Sequence, residues 1–151
     1  MNVTQELLNR LLKGEAPSAA EIAALLKAQG KACELIYTTA DKLRSQRLGD
    51  TVYLRGIIEF SNVCVNNCWY CGIRCDNTSV GRYRMTAEEI VDTARNAKLW
   101  GCGTVVLQSG EDPFFTVEIL GDIVRRIKAE TGVAVTLSVG VRPREELAQL
   151  K

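Results

Sequence analysis

Four of the six cysteines fall within one short run, CVNNCWYCGIRC, as Cys64, Cys68, Cys71 and Cys75. Scattered at random, cysteines would produce a C-x3-C-x2-C triplet in such a chain only about once in a hundred cases. Zinc in a structural site takes paired knuckles separated by a longer span, and no second knuckle follows here. The chain has no histidine, which removes imidazole acid–base chemistry and every His-ligated metal site from its own repertoire. A disulfide framework belongs to small secreted domains with poor cores, whereas 46% of these residues are hydrophobic. Three soft anionic sulfurs on a tight loop suit iron, and specifically an iron–sulfur cluster. Three ligands on a four-iron cubane leave one iron open, which is how a catalytic rather than a closed structural site is built. Cys64, Cys68 and Cys71 are therefore the expected metal ligands. Cys75 is expected to be a loop cysteine, since a fourth thiolate would close the open iron, and Cys33 and Cys102 to be small packed residues.

An α/β fold is expected to carry this loop. Three apolar, β-rich runs read as strands: TVYLRGIIEF, bent at Gly56, then GTVVLQSG and VAVTLSVG. The second is continuously apolar, as in a parallel strand buried on both faces. Helices follow, one opened by a capping box at Thr86 and Glu89 with Ile90, Val91, Ala94 and Ala97 on its inner face. Another runs over about 117–130 with Ile119, Leu120, Ile123, Val124 and Ile127 on one side and Gly132 as its stop. Strands alternating with helices argue for a parallel sheet of βα units. Before residue 51 the pattern is helical: about 3–13, a second helix opened by the Ser18/Glu21 capping box with Ile22, Leu25 and Leu26 inward and Gly30 as C-cap, and a third over about 32–46. The expected organisation is an N-terminal helical segment, 1–50, and an α/β part, 51–151. A closed eight-unit barrel takes about 250 residues, so three βα units in a chain of 151 read as a barrel that stops partway.

Nineteen Lys+Arg against 18 Asp+Glu leave a formal charge of +1, so no basic face argues for nucleic acid. The apolar runs fall short of the roughly 18–20 residues that span a bilayer, and the first residues lack a signal-peptide core. A cytoplasmic protein without membrane or nucleic-acid partners is the expectation.

With its cysteine loop after the first strand and the aromatic Tyr70 just before the third cysteine, the sequence resembles the radical S-adenosylmethionine (SAM) superfamily. That resemblance implies a 4Fe-4S cluster whose open iron chelates SAM, an electron donor such as a flavodoxin or ferredoxin, and a 5′-deoxyadenosyl radical that takes hydrogen from a small-molecule substrate. It implies that Tyr70 lies against the adenine. Gln108-Ser109-Gly110-Glu111 is similar to the family's glycine-glycine-glutamate element, with Ser109 replacing the first glycine, so its backbone and acid would meet the SAM amino group. Thr136 and Ser138 alternate along the third strand, and a barrel-facing role toward the SAM ribose or carboxylate would satisfy hydroxyls in a buried strand.

The stretches RGIIEFSNVC, CGIR followed by DN, RYRM and VLQSGEDP resemble a narrower group over roughly 40–145. This is the FeFe hydrogenase maturase group (HydE type), with methylornithine synthase and biotin synthase as relatives. Val141 departs from the acidic residue the resemblance implies there. The fold implied is a partial TIM-type (βα) barrel, its first three βα units preceded by helices. Arg55, Arg74, Arg82 and Arg84 are open to two readings, solvated loop charge or stabilisation of an anionic cluster. Arg55 is also a candidate partner for Glu59 on the same face of the first strand. Alternatives remain open: a methylornithine or biotin synthase-like enzyme, a non-catalytic electron-transfer or scaffold module, or an inactive fragment.

Overall fold

A computed structural model describes residues 3–151. The chain divides between Val52 and Tyr53 into two compact units. The first holds α1 (Val3–Leu12), α2 (Ala19–Leu26) and α3 (Lys31–Leu48). Leu7 and Leu8 of α1 are buried. α2 starts at its capping box: the Ser18 hydroxyl accepts from the Glu21 N–H, and the Glu21 carboxylate accepts from the Ser18 N–H at 2.8 Å. Bonds from the Ser18 N–H and hydroxyl, with Arg10 at 2.7 Å beyond them, hold the Glu21 carboxyl down at about 2.

Two expectations fail in this unit. Ile22 and Leu26, read as inward, are 44% and 82% exposed, and none of the described residues of α2 is buried. With alanine at 19, 20, 23 and 24 the helix has little polar surface to oppose its apolar side, so periodicity does not fix which side is covered. Gly30 does not close α2. That helix ends at Lys27, where the Ala28 N–H already bonds the Leu25 carbonyl, and Gly30 instead precedes the first turn of α3.

The second unit runs β1 (Arg55–Ser61), α4 (Ala87–Leu99), β2 (Thr104–Ser109), α5 (Val117–Thr131), β3 (Ala134–Ser138) and α6 (Arg144–Gln149). Its three strands are parallel and lie in chain order, β1-β2-β3. These successive βα units form a partial (βα) barrel. α4 and α5 cover one face of the sheet. There Ile58 and Phe60, Val105 and Leu107 meet Ile90, Val91, Ala94 and Ala97 of α4 and Leu120, Ile123 and Ile127 of α5. Phe60 and Phe115 pack edge-on at 4.6 Å. Each of the larger side chains among these contributes about 1.5–3 kcal/mol by leaving water.

β1 begins later than its composition suggests. Residues 51–54 are outside the strand, with Val52 and Tyr53 exposed, because nothing on the sheet edge pairs with them. Gly56 is no bend but pairs in register with Val105, and the irregularity falls instead between Glu59 and Ser61. β2 is not buried on both faces either: Val105 and Leu107 are buried while Val106 is half-buried, since the helices cover one side only. On the open side two rows cross the sheet in register, Ile57–Val106–Thr136 and Glu59–Gln108–Ser138. Among the described residues no helix is long and apolar enough to cross a membrane.

Candidate functional site

The cysteine loop leaves the carboxyl end of β1, where a parallel α/β sheet presents its chemistry. It has no regular ladder, so side chains must satisfy its backbone. Arg82 does most of this: its guanidinium donates to the carbonyls of Asn62 (2.6 Å), Ile73 (2.8 Å), Arg74 (2.7 Å) and Asn77 (3.1 Å). Asn62 donates to the Gly81 carbonyl and accepts from the Tyr83 N–H. Arg74 donates to the Cys71 carbonyl at 3.1 Å and Asn77 to that of Gly72 at 2.8 Å. Within the loop the Cys71 N–H bonds the Cys68 carbonyl, and the Cys75 N–H that of Asn66, each at 2.9 Å. Arg74 and Arg82 are therefore more than solvated loop charge: they hold the loop's own carbonyls.

Arg84 has a different partner. It forks onto Asp112 at 2.7 and 3.0 Å and stacks over Phe114 at 5.1 Å. Asp112 is 1% exposed and accepts also from the Ser61 hydroxyl (2.7 Å) and the Phe114 N–H (3.1 Å). Burial pushes this carboxyl up, but the bonds from Arg84, Ser61 and Phe114 together outweigh it and hold it below its ordinary value. Arg55 and Glu59 lie exposed on the open face, so that carboxylate stands in water and needs no ion-pair partner.

The exit of β2 presses against the cysteine loop. The Gly110 N–H donates to the Ser61 carbonyl at 3.1 Å, and a Cβ on Gly110 would sit 2.3 Å from the Val63 oxygen and 2.8 Å from Cys64 Cβ. Close approach is thus what this glycine permits, and the element approached is the cysteine loop. Cys64 Sγ accepts from the N–H groups of Asn66 and Glu111, each at 3.4 Å. The Glu111 carboxylate accepts from Asn66 Nδ2 (2.9 Å) and from the Val141 N–H (3.2 Å).

Cys64 and Cys71 are half-buried, Cys68 and Cys75 exposed, and all carry free thiols. Tyr70 is 93% exposed beside Trp69 at 95%. Among the described residues no three Cys, Asp or Glu side chains stand gathered as a metal cage. The donor set nevertheless fits an iron–sulfur cluster: thiols without imidazole, one of them already receiving two N–H donors of the kind that stabilise sulfur's negative charge.

Next to the loop, Glu59, Ser61, Asn62, Ile73, Tyr83, Gln108 and Ser109 line a cleft of about 280 Å³. Ser109 Oγ turns to its neighbour, donating to the Gly110 carbonyl at 2.6 Å. Thr136 and Ser138 do share a face, as expected, but that face is exposed, so their hydroxyls carry no burial cost. The sequence reading missed Asn62, Asn66, Tyr83 and Asp112. A signal was present for some of them, in the density of Asn and Arg between a strand and a capped helix, where backbone groups need side-chain partners.

Residues 58–151 match the sequence model of the radical SAM superfamily. The chain is 55% identical over 112 residues to the FeFe hydrogenase maturase subunit HydE of Thermotoga maritima, covering 74% of this chain and 32% of that protein. It is 30% identical over 146 residues to 3-methylornithine synthase of Methanosarcina barkeri, covering 95% of this chain and 41% of that one. The crystal structure of methylornithine synthase (PylB) superposes with a TM-score of 0.79 at 30% identity, over 95% of this chain and 43% of that chain. The chain thus spans between about a third and two fifths of the length of these curated relatives. With the family model matching well over half of its residues, and a cysteine-rich loop at the carboxyl end of a parallel βα sheet, the chain belongs to the radical SAM superfamily.

Proposed function

We propose that the chain supplies the cluster loop and much of the SAM site of a radical SAM enzyme of the FeFe hydrogenase maturase type. Cys64, Cys68 and Cys71 would hold a 4Fe-4S cluster through their thiolates. When bound, the reduced cluster supplies the electron that cleaves SAM to the 5′-deoxyadenosyl radical. Gln108, Ser109, Gly110 and Glu111 at the β2 exit, Thr136 and Ser138 on β3, and Tyr70 on the loop are the proposed SAM contacts. The polar row on the open face suits the ribose, and exposed Tyr70 leaves an aromatic surface free for the adenine. A small-molecule substrate, a flavodoxin or ferredoxin as reductant, and a cytoplasmic setting without nucleic acid or membrane complete the reading. So does a division into a helical segment, 1–50, and a radical SAM part, 51–151.

The observation that carries it is the cysteine loop itself, pinned by Arg82 and pressed by Gly110 at the carboxyl edge of the sheet. Anaerobic reconstitution, iron and sulfide counting, and a search for 5′-deoxyadenosine after reduction with SAM test it. Alanine at Cys64, Cys68 or Cys71 should each abolish cluster retention, while Cys75→Ser keeps it. Cluster loss in Cys75→Ser, with no deoxyadenosine from the unmodified chain, would instead indicate a four-thiolate electron-transfer module.

A further inference from the structure

Glu111 occupies the position where the family resemblance puts an acid beside the SAM amino group. One oxygen of its carboxylate is engaged elsewhere. Oε2 accepts from Asn66 Nδ2 in the cysteine loop at 2.9 Å and from the Val141 N–H beyond β3 at 3.2 Å. Its backbone is engaged as well, the carbonyl taking the Val65 N–H at 3.0 Å and the N–H donating to Cys64 Sγ at 3.4 Å. Asn66 donates to the same sulfur through its own N–H, also at 3.4 Å. The arrangement has steric backing: Gly140 has φ +79°, and a Cβ there would lie 2.7 Å from Glu111 Cγ. The left-handed turn disfavours a side chain at 140, and one there would push the Glu111 carboxylate aside.

We infer that Glu111, besides its proposed contact with SAM, is a positioning residue through Oε2. Its carboxylate ties the cysteine loop, through Asn66, to the β3 exit, through Val141, and so fixes the two N–H groups that donate to Cys64 Sγ. This rests on Cys64 being a cluster ligand, as proposed above. Donors to a ligating sulfur stabilise the more negative, reduced state, so their orientation sets the reduction potential of the cluster. Asn66 belongs to the same device, and Val141 contributes only its N–H, which any residue but proline offers. That makes its departure from the family's acid harmless to the clamp.

Two readouts on the full chain test this. The first is hydrogen exchange without a cluster. Glu111→Ala and Asn66→Ala should each speed amide exchange at Asn66, and Glu111→Ala at Val141, by about tenfold, the loss of one hydrogen bond. Glu111→Gln keeps one acceptor oxygen and should retain part of the protection. The second is the potential of the reconstituted cluster measured without SAM, which should move negative in both alanine variants. Unchanged exchange in Glu111→Ala overturns the clamp. A potential that shifts only after SAM is added overturns it too, leaving the SAM contact as the whole role of Glu111. Faster exchange with an unmoved potential reduces Glu111 to a purely structural residue. Should the unmodified chain assemble no cluster, it is the proposed function that fails, and exchange alone still decides whether the clamp exists.

Discussion

Asp112 shows how much a single buried carboxylate organises. It receives Arg84, the Ser61 hydroxyl and the Phe114 N–H, joining β1, the segment before α4 and the β2 exit. Asp112→Asn turns one of the two accepting oxygens into an NH2 that faces donors, and should cost about 1–3 kcal/mol in urea denaturation. The carboxyl is held below its ordinary value, so its contribution is fully present above the unfolded value near 4 and is lost as pH falls through the folded one. Stability of the unmodified chain should therefore drop between about pH 4 and lower pH, and that drop should flatten in Asp112→Asn. Arg82 makes the complementary case for geometry. Its planar fork reaches four carbonyls, which an ammonium cannot do. Arg82→Lys should speed amide exchange across the cysteine loop nearly as much as Arg82→Ala, although the charge is retained.

Among the elements, the helix starts were the most legible in sequence. Ser18 with Glu21 and Thr86 with Glu89 form their capping boxes, because a cap is made within four residues. The carboxyl of Glu21, near 2, should titrate higher in Ser18→Ala, read by the pH dependence of its side-chain NMR signal. Its cap is intact above the ordinary glutamate range and is lost only as pH falls toward 2. The inner face of α4 was legible for the same local reason. What covers α2, where β1 starts and which face of β2 stays open depend on partners distant in sequence. The site divides likewise. Cysteine spacing can be read locally, whereas what Gly110 approaches cannot, and Gly110→Ala should destabilise the fold by about 1–3 kcal/mol through its clash with Val63. Asn66 with Glu111, 45 residues apart, and Arg84 with Asp112, 28 apart, meet only once the sheet has formed.

At the scale of the whole chain, the stretch between α3 and β1 carries no regular structure and exposes Val52, Tyr53 and Leu54. Brief chymotrypsin treatment should cut after Tyr53 or Leu54, and mass spectrometry should find a fragment running from there to Lys151. Its parallel sheet also has a property that belongs to no single strand. Glu59, Gln108 and Ser138 stand side by side only because three strands keep one register, and at about 4.8 Å between strands they form a row about 10 Å long. A slip of β1 by one residue would turn Phe60 toward water and Glu59 into the core, losing about 1.5–3 kcal/mol for the ring and adding the cost of a buried charge. The packing of Ile58 and Phe60 under α4 thus proofreads the open face. A frame error in the strand cannot alter the row of polar groups without also unmaking the core, so a misaligned cleft is removed by unfolding rather than persisting as a folded, faulty site.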